Sequence, residues 1–394
     1  MQQDPIVITG IARTPLGNLL GTLKDLTAPQ LGAAAIKAAI ERSHLPLSSI
    51  EEVIMGCVLP AGLGQAPARQ AALYAGLNKS TPCTTVNKIC GSGMKAVMFA
   101  HDGIIAKSNN IYIAGGMESM SNTPYLIPKA RQGYRLGHAE ILDHMMLDGL
   151  EDAYEKRQPM GHFAEQCAKE YGFTRDQQDK YAMTSLERAQ KAIREGAFAD
   201  EIIPITMTTR QGDIIIDTDE RPTTVKIEKI PQLQPVFAKD GTITAANSSS
   251  ISDGAAALVL MNLSSAEKFH IQPMAKIIAH SSFAKAPNQF ATAPIDAIQK
   301  LLNKINWTID QVDLFEINEA FAIVTLAAMQ DLKIPHEKLN IHGSGCALGH
   351  PIGATGARII VTLVNALKKY GLKRGIAALC IGGGEATAIA IEMM

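Results

Sequence analysis

Apolar and polar positions along the chain fall into one motif written twice. In residues 35 to 56, AIKAAIERSHLPLSSIEEVIMG, apolar side chains recur at the three-and-four spacing of an amphipathic helix, a Pro-bearing turn follows, and a short apolar strand closes the unit. Residues 297 to 318, AIQKLLNKINWTIDQVDLFEIN, repeat the pattern without a gap at an offset of 262, pairing Ile40 with Leu302, Leu45 with Trp307 and Val53 with Phe315. Further echoes join CGSGMK (90 to 95) to GATGAR (353 to 358) and IYIAGGMES (111 to 119) to ALCIGGGEA (378 to 386). Two related α/β halves are therefore expected. The repeated Gly-x-Lys/Arg predicts a close approach of helix to sheet, where a Cβ would stand in the way.

The pattern changes between about 121 and 240. Seven prolines (Pro124, Pro128, Pro159, Pro204, Pro222, Pro231, Pro235), a polar helix around SLERAQKAIREGAF and short charged strands such as GDIIIDTDE read as an insertion capping the halves. Its basic KARQGYR (129 to 135) and Arg221 are candidates for a phosphate-bearing ligand or for a solvated face. The apolar run ALVLM (257 to 261) then returns to the first half.

Composition narrows the function. The chain has 394 residues, 46% of them hydrophobic and 19% charged, which is ample for a large buried core. A net charge of −1 argues against a nucleic-acid or polybasic membrane surface. No apolar stretch reaches the length of a membrane span, and neither end carries a targeting signal, so a cytoplasmic location is expected. Six scattered cysteines without a C-x-x-C pair signal neither a zinc cluster nor a disulfide framework, and no metal is expected.

Four segments carry candidate chemistry. Cys90 stands between an expected strand end and an apolar helix, where backbone N–H groups and the helix dipole favour thiolate; the competing reading is an ordinary buried cysteine. Residues 91 to 96 also fit G-x-G-x-x-A, the dinucleotide fingerprint, with Glu118 as a distant ribose acid, although that motif leaves Cys90 unexplained. His350, in a glycine-rich loop before Pro351, suits a proton acceptor of ordinary pKa, whereas His336 and His342 fit no metal spacing. Cys380 closes an apolar strand before three glycines whose N–H groups can meet an oxyanion, and Asn318 ends another strand where it can hold a water or a carbonyl.

In order, NKICGSG (87 to 93), NEAF (318 to 321), GHPIGATGAR (349 to 358) and CIGGG (380 to 384) resemble the motifs of the thiolase family, over essentially the whole chain. The resemblance implies an α/β, five-layered α-β-α-β-α duplication with an inserted loop domain. Residues 1–120, completed by about 241–270, would form the N-terminal half, 121–240 the substrate-binding loop domain, and 271–394 the C-terminal half. It implies that Cys90 takes an acyl group as a thioester, His350 accepts the thiol proton, and Cys380 deprotonates a second acetyl-CoA. Asn318 would hold a water at the enolate, and the N–H groups of Cys90 and Gly382 would form the oxyanion hole. Ser249 and Ala245 would contact pantetheine; Leu150, Met160, Phe237 and Phe321 would line the acyl or pantetheine channel; Arg221 would reach the adenine end. Acetyl-CoA, acetoacetyl-CoA and CoA are the implied substrates, with no further cofactor and a homodimer or homotetramer as the assembly. Joining two acetyl-CoA molecules is the favoured activity, and degradative cleavage of longer 3-ketoacyl-CoA in β-oxidation is the alternative. Pro159, Cys346 and Glu385 depart from the family pattern near the site.

Overall fold

The computed structural model describes residues 4–209 and 212–394. Nine strands are used below: β1 (Ile6–Arg13), β2 (Glu52–Gly56), β3 (Cys83–Val86), β4 (Ile111–Ser119), β5 (Ser252–Asn262), β6 (Ala275–Ala284), β7 (Leu314–Ile317), β8 (Arg374–Ile381) and β9 (Glu385–Met393). Their order is β7-β8-β9-β6-β1-β5-β4-β2-β3. The first half runs β3-β2-β4-β5-β1, with parallel pairs around β2 and antiparallel pairs around β5. The second half repeats it as β7-β8-β9-β6, again parallel and then antiparallel, and a parallel bridge from Phe315 to Leu339 stands where a further strand would lie. Only Val7 and Ile8 of β1 pair with β6, so two sheets meet along a short seam.

Helices complete five layers. Helix α1 (Ala28–Ser43) covers the outer face of the first sheet through Leu31, Ile36 and Ile40. Helix α5 (Ala293–Ile305) covers the second through Ile298, Leu301 and Leu302. Between the sheets lie α2 (Ser92–Ile105) and α7 (Thr355–Tyr370), whose Met94, Val97, Ile360 and Leu363 share one core with Ile8, Leu258, Leu379 and Ile389. Apolar residues of both helices face the sheets, while α7 turns its buried Arg358, Thr362 and Asn365 to Ser344 and Glu201.

Two expectations are corrected in detail. The strand equivalent to β4 is β8, which begins at Arg374, so the sequence echo placed ALCIGGGEA a few residues late. The glycine common to both copies, Gly93 and Gly356, brings helix to helix, whereas Gly353 does meet the first sheet, where a Cβ would lie 2.8 Å from Met117 O. A Cβ on Gly93 would lie 2.8 Å from Ala357 N, and one on Gly356 2.4 Å from Met94 N.

The intervening segment holds α3 (Met160–Tyr171), α4 (Arg175–Arg194) and a hairpin of Ile205–Thr209 with Gly212–Ile216. Helix α4 packs on α6 (Ala322–Leu332) of the second half. Buried Arg13 at the end of β1 binds Glu201 at 2.5 Å and Asp219 at 2.7 Å, tying the segment to the first half as well. Such a buried ionic triad is specific in geometry more than it is stabilising, because its desolvation offsets its attraction.

Candidate active site

The nucleophile's turn is built by its own motif. Strand β3 ends at Val86 and α2 starts at Ser92. Between them Asn87 Oδ1 accepts the Ile89 N–H at 2.9 Å, while Ser92 Oγ accepts the Lys88 N–H at 2.8 Å and donates to Ile89 O at 2.7 Å. The turn forces Ile89 to φ +46°, a left-handed conformation that costs a β-branched residue about 1–3 kcal/mol. Cys90 emerges half-buried from this strained turn. Gly91 serves packing, not substrate approach: a Cβ there would lie 2.4 Å from Ile381 Cδ1.

The histidine's loop is the same device in the second half. Thr355 opens α7 as Ser92 opens α2, and its hydroxyl again donates back along the chain, to Pro351 O at 2.9 Å. Its remaining capacity faces His350 Nδ1 at 2.6 Å. Because the hydroxyl hydrogen is spent on Pro351, Nδ1 carries the ring proton and Nε2 keeps the lone pair. Asn318 Nδ2 also stands 3.5 Å from Nδ1, too far to compete. Among the described residues, Nε2 itself has no hydrogen-bond partner.

Cys90, His350 and Cys380 line one cavity of about 520 Å³. All three titrate away from ordinary values. Burial pushes the Cys90 thiol up to about 11, against the backbone N–H groups of Gly382 and of Cys90 itself, which face the sulfur and pull it down. The helix start therefore does not make a resting thiolate, contrary to the sequence expectation. Burial, with Arg358 adding to it, takes His350 down to about 3, so the ring is neutral at working pH rather than poised near it. Cys380 is pushed well above the usual thiol range by burial and then by the charge that Cys90 would carry. Gly383 and Gly384 adopt φ +89° and +85°, the left-handed region that the turn after β8 demands of glycine.

The remaining candidates mostly converge. Gly382, Ser249, Ala245, Leu150, Met160, Phe237, Phe321 and Arg221 all line the cavity. Phe321 meets the ring edges of Phe237 at 6.0 Å and of Phe290 at 6.1 Å, an apolar wall to which the sequence reading did not assign Phe290. Arg221 donates Nε to Cys346 O at 2.8 Å and Nη2 to Ala245 O at 2.7 Å, so part of its fork is committed to the chain. Asn318 is fully buried behind His350, with Oδ1 unpaired. The basic residues Lys129, Arg131 and Arg135 are exposed and none of them lines the cavity.

Other expectations fall. Glu118 is no ribose ligand: fully buried, it accepts the N–H groups of Val58 at 2.9 Å, Leu59 at 3.2 Å and Gly353 at 2.9 Å, clasping the histidine loop to the first half. The dinucleotide reading loses its acid. The Cys346 thiol lies against Glu319 O at 3.6 Å and does not line the cavity. Pro159 does line it, as the extended residue before α3, and Glu385 forms an ion pair with Lys88 across the two cysteine loops. Thr355 was the residue missed, although its signal was present in the aligned CGSG and GATG.

A family model described as "Thiolase, N-terminal domain" matches residues 6–264, and one described as "Thiolase, C-terminal domain" matches residues 271–393. The chain is 47% identical to acetyl-CoA acetyltransferase 1 of Arabidopsis thaliana, over 100% of this chain and 95% of that protein. It is 44% identical to an acetyl-CoA acetyltransferase of Cupriavidus necator, over 98% and 99%. Among solved structures, the Bacillus anthracis acetyl-CoA acetyltransferase superposes with a TM-score of 0.96 at 40% identity, covering 100% of this chain and 99% of that one. The Acat5 thiolase of Ascaris suum in complex with coenzyme A superposes at 0.93 and 42% identity, covering 99% and 100%.

Proposed function

The chain belongs to the thiolase family and is an acyltransferase, and on that premise we propose that it joins two acetyl-CoA molecules reversibly into acetoacetyl-CoA and CoA, as an acetyl-CoA C-acetyltransferase. The observation that carries this reading is the meeting of Cys90, His350 and Cys380 in one cavity, with the N–H groups of Gly382 and Cys90 turned to the Cys90 sulfur.

The residues then divide the work. With the thiol near 11 and the imidazole near 3, a standing thiolate–imidazolium pair is unfavourable, so proton transfer to Nε2 accompanies attack of Cys90 on the acetyl carbonyl. The tetrahedral oxygen is held by the Cys90 and Gly382 N–H groups. As the C–S bond to CoA breaks, the leaving thiolate takes the proton back from His350, leaving acetyl-Cys90 with His350 neutral and Cys380 a thiol. A second acetyl-CoA binds, Cys380 removes its α-proton as its own thiol proton passes to His350, and the enolate oxygen is met by His350 Nε2–H and a water on Asn318. Attack on acetyl-Cys90 forms the C–C bond. The Cys90 thiolate leaves and recovers its proton from His350, so every group returns to its starting state.

Pantetheine would run along Ser249 and the Phe237 and Phe321 rings, with Leu150 and Met160 at the acyl end and Arg221 toward the nucleotide. A homodimer or homotetramer is the assembly this reading carries with it.

CoA-dependent cleavage of acetoacetyl-CoA, compared with 3-oxoacyl-CoA of eight to twelve carbons, tests the assignment. Preference for the four-carbon substrate, lost in Cys90→Ala, is the expected result. Preference for the longer chains, or activity surviving the substitution, overturns it.

A further inference from the structure

His101 and Asp102, neighbours in the chain, and His280, far from both, place one ligand atom apiece within 4.8 Å of the others. His101 and Asp102 lie in the last turns of α2, and His280 lies on β6 of the second half. Asp102 Oδ1 stands 3.1 Å from His101 Nδ1 and 2.8 Å from His280 Nε2, and the two rings meet edge to face at 5.0 Å. None of the three lines the catalytic cavity.

We propose that this cluster is a divalent transition-metal site, with Zn²⁺ as the fitting ion, bound by His101 Nδ1, Asp102 and His280 Nε2 and completed by water. Two imidazoles and a carboxylate are a zinc donor set, and tetrahedral bonds of zinc length separate ligand atoms by about 3.3 Å. The observed spacings of the carboxylate to the two nitrogens need to open by only a few tenths of an ångström. In the free cluster each nitrogen facing the carboxylate holds its ring's proton, so metal binding shifts that proton to the other nitrogen of each imidazole. The His101 and His280 side chains are only 10% and 14% exposed, whereas Asp102 is 51% exposed, which gives an entry path and room for the water.

The charges around the cluster bear on which ion it takes. Lys304 donates to His280 O at 3.3 Å and opposes positive charge on both rings. Lys95 feels Asp102 from the preceding turns of α2. One carboxylate among these lysines makes a poor cage for calcium or magnesium; affinity rests on the nitrogen donors, which select Zn²⁺, Ni²⁺ or Cu²⁺. The ion would bridge the two halves, joining the far end of the helix that Cys90 precedes to the second sheet.

The test titrates Zn²⁺ into the whole protein by calorimetry after alkylation of accessible thiols, which would otherwise compete. One saturable site per chain is expected, weakened at least about tenfold in His280→Ala and in Asp102→Asn. The thermal midpoint should rise with Zn²⁺ in the alkylated parent but not in those variants. Because His280 also holds its strand to the helix end, Co²⁺ on the parent protein gives an independent readout. A four-coordinate visible spectrum supports the site, whereas a spectrum like that of hydrated Co²⁺ overturns it. Absence of saturable Zn²⁺ uptake, or equal uptake by the parent and His280→Ala, overturns it as well and leaves the cluster a hydrogen-bonded strut.

Discussion

A hydroxyl decides which nitrogen of His350 can act. Thr355 Oγ1 donates to Pro351 O and accepts Nδ1–H, so the lone pair is left on Nε2, toward the cysteines. Thr355→Val removes the acceptor and frees the tautomer. The account expects kcat to fall about tenfold or more while KM for acetoacetyl-CoA stays near its starting value, with Thr355→Ser restoring the rate. The pKa of His350 makes a second prediction. An imidazole depressed to about 3 stays neutral as pH falls, so kcat/KM of the free enzyme should lack the roughly thirtyfold loss at pH 5 that a base of ordinary pKa would show. A limb near 6.5, assigned to His350 by its loss in His350→Asn, would contradict it. At this scale the sequence was informative about which residues share the cavity and silent about their protonation. Motif order gathered Cys90, His350, Cys380 and Gly382, but burial sets the titration of the first three, and burial here depends on contacts between distant segments.

Two helices, crossing on glycines, carry the reactive loops at their N-terminal ends. Gly356→Ala would set a Cβ 2.4 Å from Met94 N, against backbone that cannot move alone. It should cost about 1–3 kcal/mol of stability and lower the thermal midpoint, with a loss of kcat because Cys90 and His350 shift relative to each other. The Lys88–Glu385 ion pair makes the corresponding link between the two cysteine loops. Both partners are partly exposed, so Lys88→Met and Glu385→Gln should each change stability by less than about 1 kcal/mol. Yet each should alter the rate of Cys90 alkylation by iodoacetamide, and the double substitution should add little to either single one. Additive effects would show that the pair does not couple the loops. The helix and strand repeat, 35 to 56 against 297 to 318, was readable because its apolar period survives divergence. The partners of the glycines were not: a repeated glycine says that something comes close, and only topology says which glycines meet the other central helix and which meet a sheet.

For the molecule as a whole, buried titratable groups shape stability against pH. His350 and His342, lowered to about 3 and about 4 from 6.5, are neutral in the fold but protonate on unfolding, so the stability they give above pH 6.5 is lost as pH falls toward 4. Glu118, raised to about 7 from 4.5, works in reverse: its contribution is complete below pH 4.5 and is lost as pH rises through 7. His342→Phe should flatten the acid side and Glu118→Gln the neutral side of a plot of thermal midpoint against pH. An unchanged slope in either would refute that assignment. The duplicated α/β plan was legible in the chain at this scale. The five layers followed from family likeness, because apolar period shows that a helix is buried and does not show how many sheets enclose it.

The central claim is that Cys90 carries the acyl group while Cys380 handles the α-proton, and it is tested by trapping. Cys380→Ser, incubated with acetyl-CoA, quenched and digested, should yield an acetylated peptide containing Cys90, with none in Cys90→Ala. Acetyl found on another residue, or none on an enzyme that still turns over, would contradict the account.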